Sequence, residues 1–209
     1  MNPYEQFLQR ILGAAQPPAP RDMTMTPAPQ GVGANAMSYE LFNQLPQISQ
    51  ILSSGAGFNI AQDPFGNTFR SEGSLPWRNN NPGNIKAGSF AKKRGSVGES
   101  AGFAVFPTQE AGMNALRELL FQPDSKYRNM SVTKAISTFA PPQDKNDTRN
   151  YQKFVTSLVG TNNPISKLND QQKDALLNAI LRMEGFFKGG QIEMGGRQWN
   201  PPTKPRSMP

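Results

Sequence analysis

From Thr108 to Glu184 apolar side chains recur at helical spacing, and the polar residues between them supply the starts and stops. Thr108 is placed to cap a helix running to about Phe121, with Met113, Leu116 and Leu120 on one face. Val132, Ile136 and Phe139 mark a second helix, which Pro141 and Pro142 stop. Asp147 or Thr148 caps a third, where Tyr151, Val155 and Leu158 keep register and Gly160 gives the C-terminal signal. Asn169 or Asp170 opens a fourth, which carries Leu177, Ile180 and Leu181 and reaches Glu184-Gly185. Ahead of these helices, Trp77 to Asn84 is a turn of Asn, Pro and Gly leading into an extended Ile85, and Phe103 to Phe106 is β-prone. A hairpin of Asn84 to Ala87 with Gly102 to Phe106 is predicted. The fold class expected is therefore α+β, mostly α, with one small β-hairpin, over residues 74–188.

The flanks read differently. Within residues 1–15, Tyr4, Phe7, Leu8, Ile11 and Leu12 follow a helical stripe and predict a short amphipathic helix. Residues 16–73 read as a Pro/Gly-rich linker, extended where Pro17, Pro18, Pro20, Pro27 and Pro29 cluster. A short helical segment is expected in it around Tyr39, Phe42, Leu45, Ile48, Ile51 and Leu52, before the turn-rich run from Asp63 to Gly73. Residues 189–209 read as a Pro-rich tail. A helix set apart by such a spacer suits docking to a partner better than packing on its own domain.

Composition narrows the chemistry. The chain has 209 residues with no Cys and no His. Zinc hydrolases, papain-like peptidases and serine hydrolases all need one or both, so these classes are excluded or badly weakened. No metal site and no cofactor is expected. What remains for acid/base work near neutral pH is a carboxylate with a raised pKa or a lysine with a lowered one. A net charge of +7 points to an anionic neighbour: packaged DNA, a membrane surface or an acidic wall polymer. No apolar run approaches the roughly 20 residues of a membrane span, and Met1 to Gly13 lacks the apolar region of a signal peptide, so a soluble protein is expected.

Gly98-Glu99-Ser100-Ala101-Gly102 matches the nucleophile elbow of esterases letter for letter. Without histidine, and with a β-prone segment directly after it, the pentad reads as a turn. Glu184 is a sharper candidate. It stands at i+7 from Leu177, so a carboxylate continues an apolar stripe, where partial desolvation would raise its pKa toward that of a general acid. The same position also allows Gly185 to end the helix and release the side chain to solvent. Asn80, Asn81 and Asn84 carry amides suited to sugar hydroxyls and N-acetyl groups, and suit a tight turn equally well. Lys86, Lys92, Lys93 and Arg94 form a basic run that fits either an anionic polymer or a solvated face. Trp77 and Trp199 fit sugar stacking, and Trp77 fits a core as well.

Several of these stretches occur together in a known order: Arg78-Asn79-Asn80-Asn81-Pro82-Gly83-Asn84-Ile85, Gly102 to Gly112, Phe139-Ala140-Pro141-Pro142, Asn146 to Tyr151, and Ala179 to Gly185. The set, about half the chain, resembles a lysozyme-like or lytic transglycosylase-like module of phage virion and tape-measure proteins. More loosely, it is similar to bacterial glucosaminidases and lytic transglycosylases, in which a helix ending in a catalytic Glu precedes an Asn-rich loop and an aromatic hairpin. Here no such helix precedes the loop, and Glu184-Gly185 ends a helix at the other end of the domain. A circular permutation reconciles the two orders.

The resemblance implies a phage virion protein that degrades host peptidoglycan in the periplasm or cell wall during genome entry, by cleaving the bond between N-acetylmuramic acid and N-acetylglucosamine. Glu184 is then the acid and Glu99 the fallback, with Asn80, Asn81, Asn84, Phe103, Phe106 and Tyr151 as substrate contacts. A transglycosylase needs no second carboxylate. A hydrolase does, and Glu99, Asp144 and Asp147 are all available. Implied partners are peptidoglycan glycan strands and other virion proteins, the latter through the N-terminal helix and the tails. The alternative is a non-catalytic virion protein whose domain holds glycan, DNA or a neighbouring subunit.

Overall fold

The structure, a computed structural model, describes residues 47–186 and, as backbone, 189–194. The predicted N-terminal helix, the proline cluster and residues 195–209 lie outside the described residues.

Residues 50–73 are an antiparallel meander and not linker, and it takes in Ile51 and Leu52 of the expected helical segment, whose Tyr39, Phe42 and Leu45 lie outside the described residues. Strands β1 (Gln50–Gly55), β2 (Phe58–Gln62) and β3 (Thr68–Gly73) pair in sequence order. A later strand, Gly189–Met194, pairs antiparallel with β3 to complete a four-stranded sheet, so part of the expected tail belongs to it. The reason the pattern hid these strands is visible in their inward positions. Asn59 and Ala61 on β2, and Phe69 and Ser71 on β3, are buried. Two of the four are polar, so the period of two never shows as an apolar alternation. The β2–β3 turn is organised by Asp63, whose carboxylate accepts the Phe65 and Asn67 backbone N–H groups at 2.9 and 2.8 Å. The sheet's inner face packs Ile48, Ala61 and Phe69 against Val105.

The chain then enters α1 (Leu75–Arg78), the Asn loop, α2 (Ser89–Lys93) and a two-stranded hairpin of β4 (Gly98–Ser100) and β5 (Phe103–Val105). The hairpin differs from the predicted one. The ladder partner of β5 is β4, joined through Ala101 and Gly102 at φ 53° and 82°, while Ile85 to Ala87 lies along the other edge of β5. Gly98-Glu99-Ser100 has no apolar alternation to announce a strand. Ser100 is buried and its hydroxyl donates to the Asn59 side-chain oxygen Oδ1 at 2.9 Å, so the esterase-like pentad is a strand and turn.

The helices follow the sequence pattern in their spans, α3 (Gln109–Phe121), α4 (Val132–Phe139), α5 (Thr148–Val159) and α6 (Asp170–Glu184), but on α5 Val159 is buried and Leu158, expected in register with Tyr151 and Val155, is exposed. Thr108, Ser131, Asp147 and Asn169 each accept a first-turn N–H, and Gln172 completes a capping box on α6. Phe106, Met113, Leu116, Leu120, Ile136, Leu177, Ile180 and Leu181 fill the core they enclose. Each such side chain contributes roughly 1.5–3 kcal/mol on burial. The fold is thus mixed α and β, with more strand than the sequence pattern predicted.

Candidate active site

The site is built on the end of α6. Leu177, Ile180 and Leu181 are fully buried, and the same stripe carries Glu184 to the wall of a cleft. Gly185, at φ 72°, stops the helix in the left-handed conformation. The Gly185 and Phe186 N–H groups turn back to the Arg182 and Leu181 carbonyls at 3.2 and 3.0 Å, a Schellman-type ending. This end is anchored to the segment that opens α1. Ser74 Oγ donates to the Gly185 carbonyl at 2.8 Å, and Phe186 packs on Trp77 with ring centroids 5.6 Å apart. Glu184 is therefore held in place and does not swing into solvent.

Two neutral donors hold its carboxylate. Tyr151 O–H on α5 donates to Oε1 at 3.0 Å, and Asn84 Nδ2 in the Asn loop donates to Oε2 at 2.9 Å. Burial pushes the Glu184 pKa above the ordinary carboxylate value, and the two hydrogen bonds oppose that shift without cancelling it. Tyr151 is pushed well above its ordinary value, first by burial and then by the adjacent carboxylate, so it remains a donor. Asn84 Oδ1 is buried with no hydrogen-bond partner. Turning the amide over would present that oxygen to a protonated Glu184, so one side chain can serve both ionisation states.

The cleft has a volume of about 740 Å³. It is lined by Gly83 to Lys86 with Phe90 and Phe103, and by Thr138 to Pro141 and Gln143 to Asn146 with Lys126 and Tyr127. Lys86 Nζ reaches Asp144 Oδ2 at 2.8 Å and joins the two groups. Burial pushes Tyr127 up to about 12. Among the described residues there is no cluster of acidic, His or Cys side chains fit to hold a metal ion.

The sequence-predicted residues divide sharply. Glu184, Asn84 and Phe103 line the cleft, and Tyr151 reaches it through its bond to Glu184. Asn80 and Asn81 do not. Both are buried, with Asn80 Nδ2 directed at the Phe106 and Pro107 carbonyls and Asn81 bonded to the Ile85 N–H, Ile85 carbonyl and Ala104 carbonyl. Their amides are spent on bringing the loop to the hairpin, which corrects their expected sugar contacts. Phe106 is corrected too, since it is fully buried in the core. Glu99 is exposed on β4, outside the cleft lining, and the fallback acid is not beside Glu184. Asp147 is spent as the cap of α5. Asp144 is the other carboxylate of the cleft, already paired with Lys86. Lys126, Tyr127 and Lys145 were invisible in the sequence, because their segments reach the cleft only through long-range packing.

No protein-family model matches the chain. Over 137 residues, 64% of its length and 82% of the relative's, the chain is 34% identical to Protein P5 of Pseudoalteromonas phage PM2.

Proposed function

Because the chain belongs to the family of Protein P5 of Pseudoalteromonas phage PM2, we propose that it is a phage virion protein whose Glu184 cleft cleaves the glycan strands of host peptidoglycan. The observation that carries this reading is the half-buried Glu184 carboxylate, held by Tyr151 and Asn84 at the wall of a cleft large enough for sugar rings. Burial favours its protonated form, which a general acid requires. Adjacency of the α6 end to the segment just before the Asn loop, through Ser74 and Trp77, supports the permuted lysozyme-like arrangement.

In the reaction, Glu184 gives its proton to the glycosidic oxygen as the bond to the muramoyl anomeric carbon breaks. The carboxylate so formed takes the proton of the incoming hydroxyl while that oxygen bonds to the anomeric carbon. With Asp144 tied to Lys86, the cleft offers no second free carboxylate among its described residues, which favours the muramoyl 6-hydroxyl as nucleophile and an anhydro product.

Zymography on purified peptidoglycan tests the reading. The wild-type protein is expected to clear the gel and Glu184→Gln to lose at least about 100-fold in rate, with mass analysis of the products showing anhydro ends. Clearing by neither protein would leave the cleft a binding site of a non-catalytic virion component. Equal clearing by both would remove Glu184 from the chemistry.

A further inference from the structure

The charges of the cleft do not balance, and the excess has a direction. Its charged side chains are Lys86, Lys126, Asp144, Lys145 and Glu184. Asp144 is paired with Lys86, and Glu184 is held by two neutral donors. Lys126 and Lys145 remain, both exposed and neither with a carboxylate at ion-pair distance among the described residues. They come from separate segments, one between α3 and α4 and one just after the 3-10 turn Pro142–Asp144, yet both line the same cleft.

The backbone adds a second observation. Lys145 stands at φ 62°, in the left-handed region where Gly or Asn is the less strained choice. A long cationic side chain there does nothing for the turn, which ends with the Lys145 N–H bonded to the Pro142 carbonyl whatever the side chain. Lys126 is restrained differently, with its Nζ 5.0 Å from the centre of the Tyr127 ring. One lysine is thus kept at a conformational cost and the other is positioned over a buried aromatic.

We propose that the Glu184 cleft selects glycan that carries carboxylates, with Lys126 and Lys145 as the side chains that read the charge. This rests on the glycan-cleaving reading and specifies its substrate class. Chitin has the same β-1,4-linked N-acetylglucosamine backbone and no charge. Peptidoglycan adds a lactyl group on alternate sugars and free carboxylates on the lactyl groups or on the peptide stems they bear. The two lysines are suited to those groups, while Asn84 and the aromatic walls meet the part both polymers share.

Retention on insoluble polymer is the test, made with the full chain carrying Glu184→Gln so that nothing is cleaved. Retention on peptidoglycan sacculi is expected to exceed retention on chitin. Adding Lys126→Met and Lys145→Met should lower it about tenfold, the order for two solvent-screened ion pairs. Amidation of the sacculus carboxylates should produce the same loss. Lys92→Met with Lys93→Met removes equal charge from exposed positions outside the cleft lining and should change retention little. Lys145→Gly should lose retention while melting at or above the temperature of its parent, which separates charge reading from damage to the turn. Equal losses from the two double substitutions, equal retention on chitin and sacculi, or indifference to amidation would each overturn the proposal. Wild-type clearing of peptidoglycan alongside such a result leaves the enzymatic reading standing. Lysine-dependent retention without clearing defeats the enzyme and leaves the receptor.

Discussion

Glu184 is acted on by opposing forces whose balance sets its chemistry. Desolvation raises its pKa, while the Tyr151 hydroxyl and Asn84 amide favour the charged form. Removing a donor tips the balance further toward the acid. In the proposed reaction, Tyr151→Phe is therefore expected to move the basic limb of the kcat/KM pH profile upward, since that limb would report deprotonation of Glu184 as the acid. Wild type itself should show the limb above the ordinary carboxylate range. A limb that stays in place in Tyr151→Phe would mean that some other group supplies the proton. At this scale the sequence was partly legible. The stripe of α6 pointed to Glu184. The Asn loop misled, because an Asn that closes a turn and an Asn that meets a sugar use the same amide, and only the partners tell them apart.

Between elements, close approach decides more than propensity does. Gly112 lies on α3 where a Cβ would stand 1.8 Å from the Asn80 carbonyl oxygen, so the Asn loop can sit on this helix only if residue 112 has no side chain. Its backbone is helical, and the requirement is one of space. Gly112→Ala is expected to destabilise by roughly 1–3 kcal/mol, as overpacking does. Urea denaturation would show this as a lower midpoint at unchanged slope, and a midpoint equal to wild type would refute the close approach. The caps Thr108, Asp147 and Asn169 were readable because a cap is a local contract between a side chain and the next turn. The meander of β1 to β3 was not, because Asn59 and Ser71 occupy inward positions and bury polarity that the fold satisfies elsewhere. Asn59 Nδ2 donates to the Asn79 side-chain oxygen at 2.7 Å and the Arg78 carbonyl at 3.1 Å, tying the sheet to the loop that carries the site.

For the molecule as a whole, a raised carboxylate pKa makes stability depend on pH with a definite sign. The folded protein holds the Glu184 proton to higher pH than the unfolded chain does, so this group's contribution falls as pH rises from the ordinary value of 4.5 through the folded one. Glu184→Gln removes that loss and keeps a donor and an acceptor for Asn84 and Tyr151. Its melting temperature relative to wild type is expected to rise across that window and level off above it, and a difference that does not vary with pH would contradict the shift. The amino-acid sequence by itself determined the helices, their caps, the absence of histidine and cysteine chemistry, and the stripe that makes Glu184 stand out, because each depends on neighbours within a turn or on composition. Only the tertiary structure decided that Asn84 and Tyr151 meet Glu184 across 100 and 33 residues, that Asn80, Asn81 and Phe106 face inward, and that Lys126 and Lys145 share its cleft. Those pairings follow from how buried surfaces close on one another, and no local pattern encodes which distant segment will be the partner.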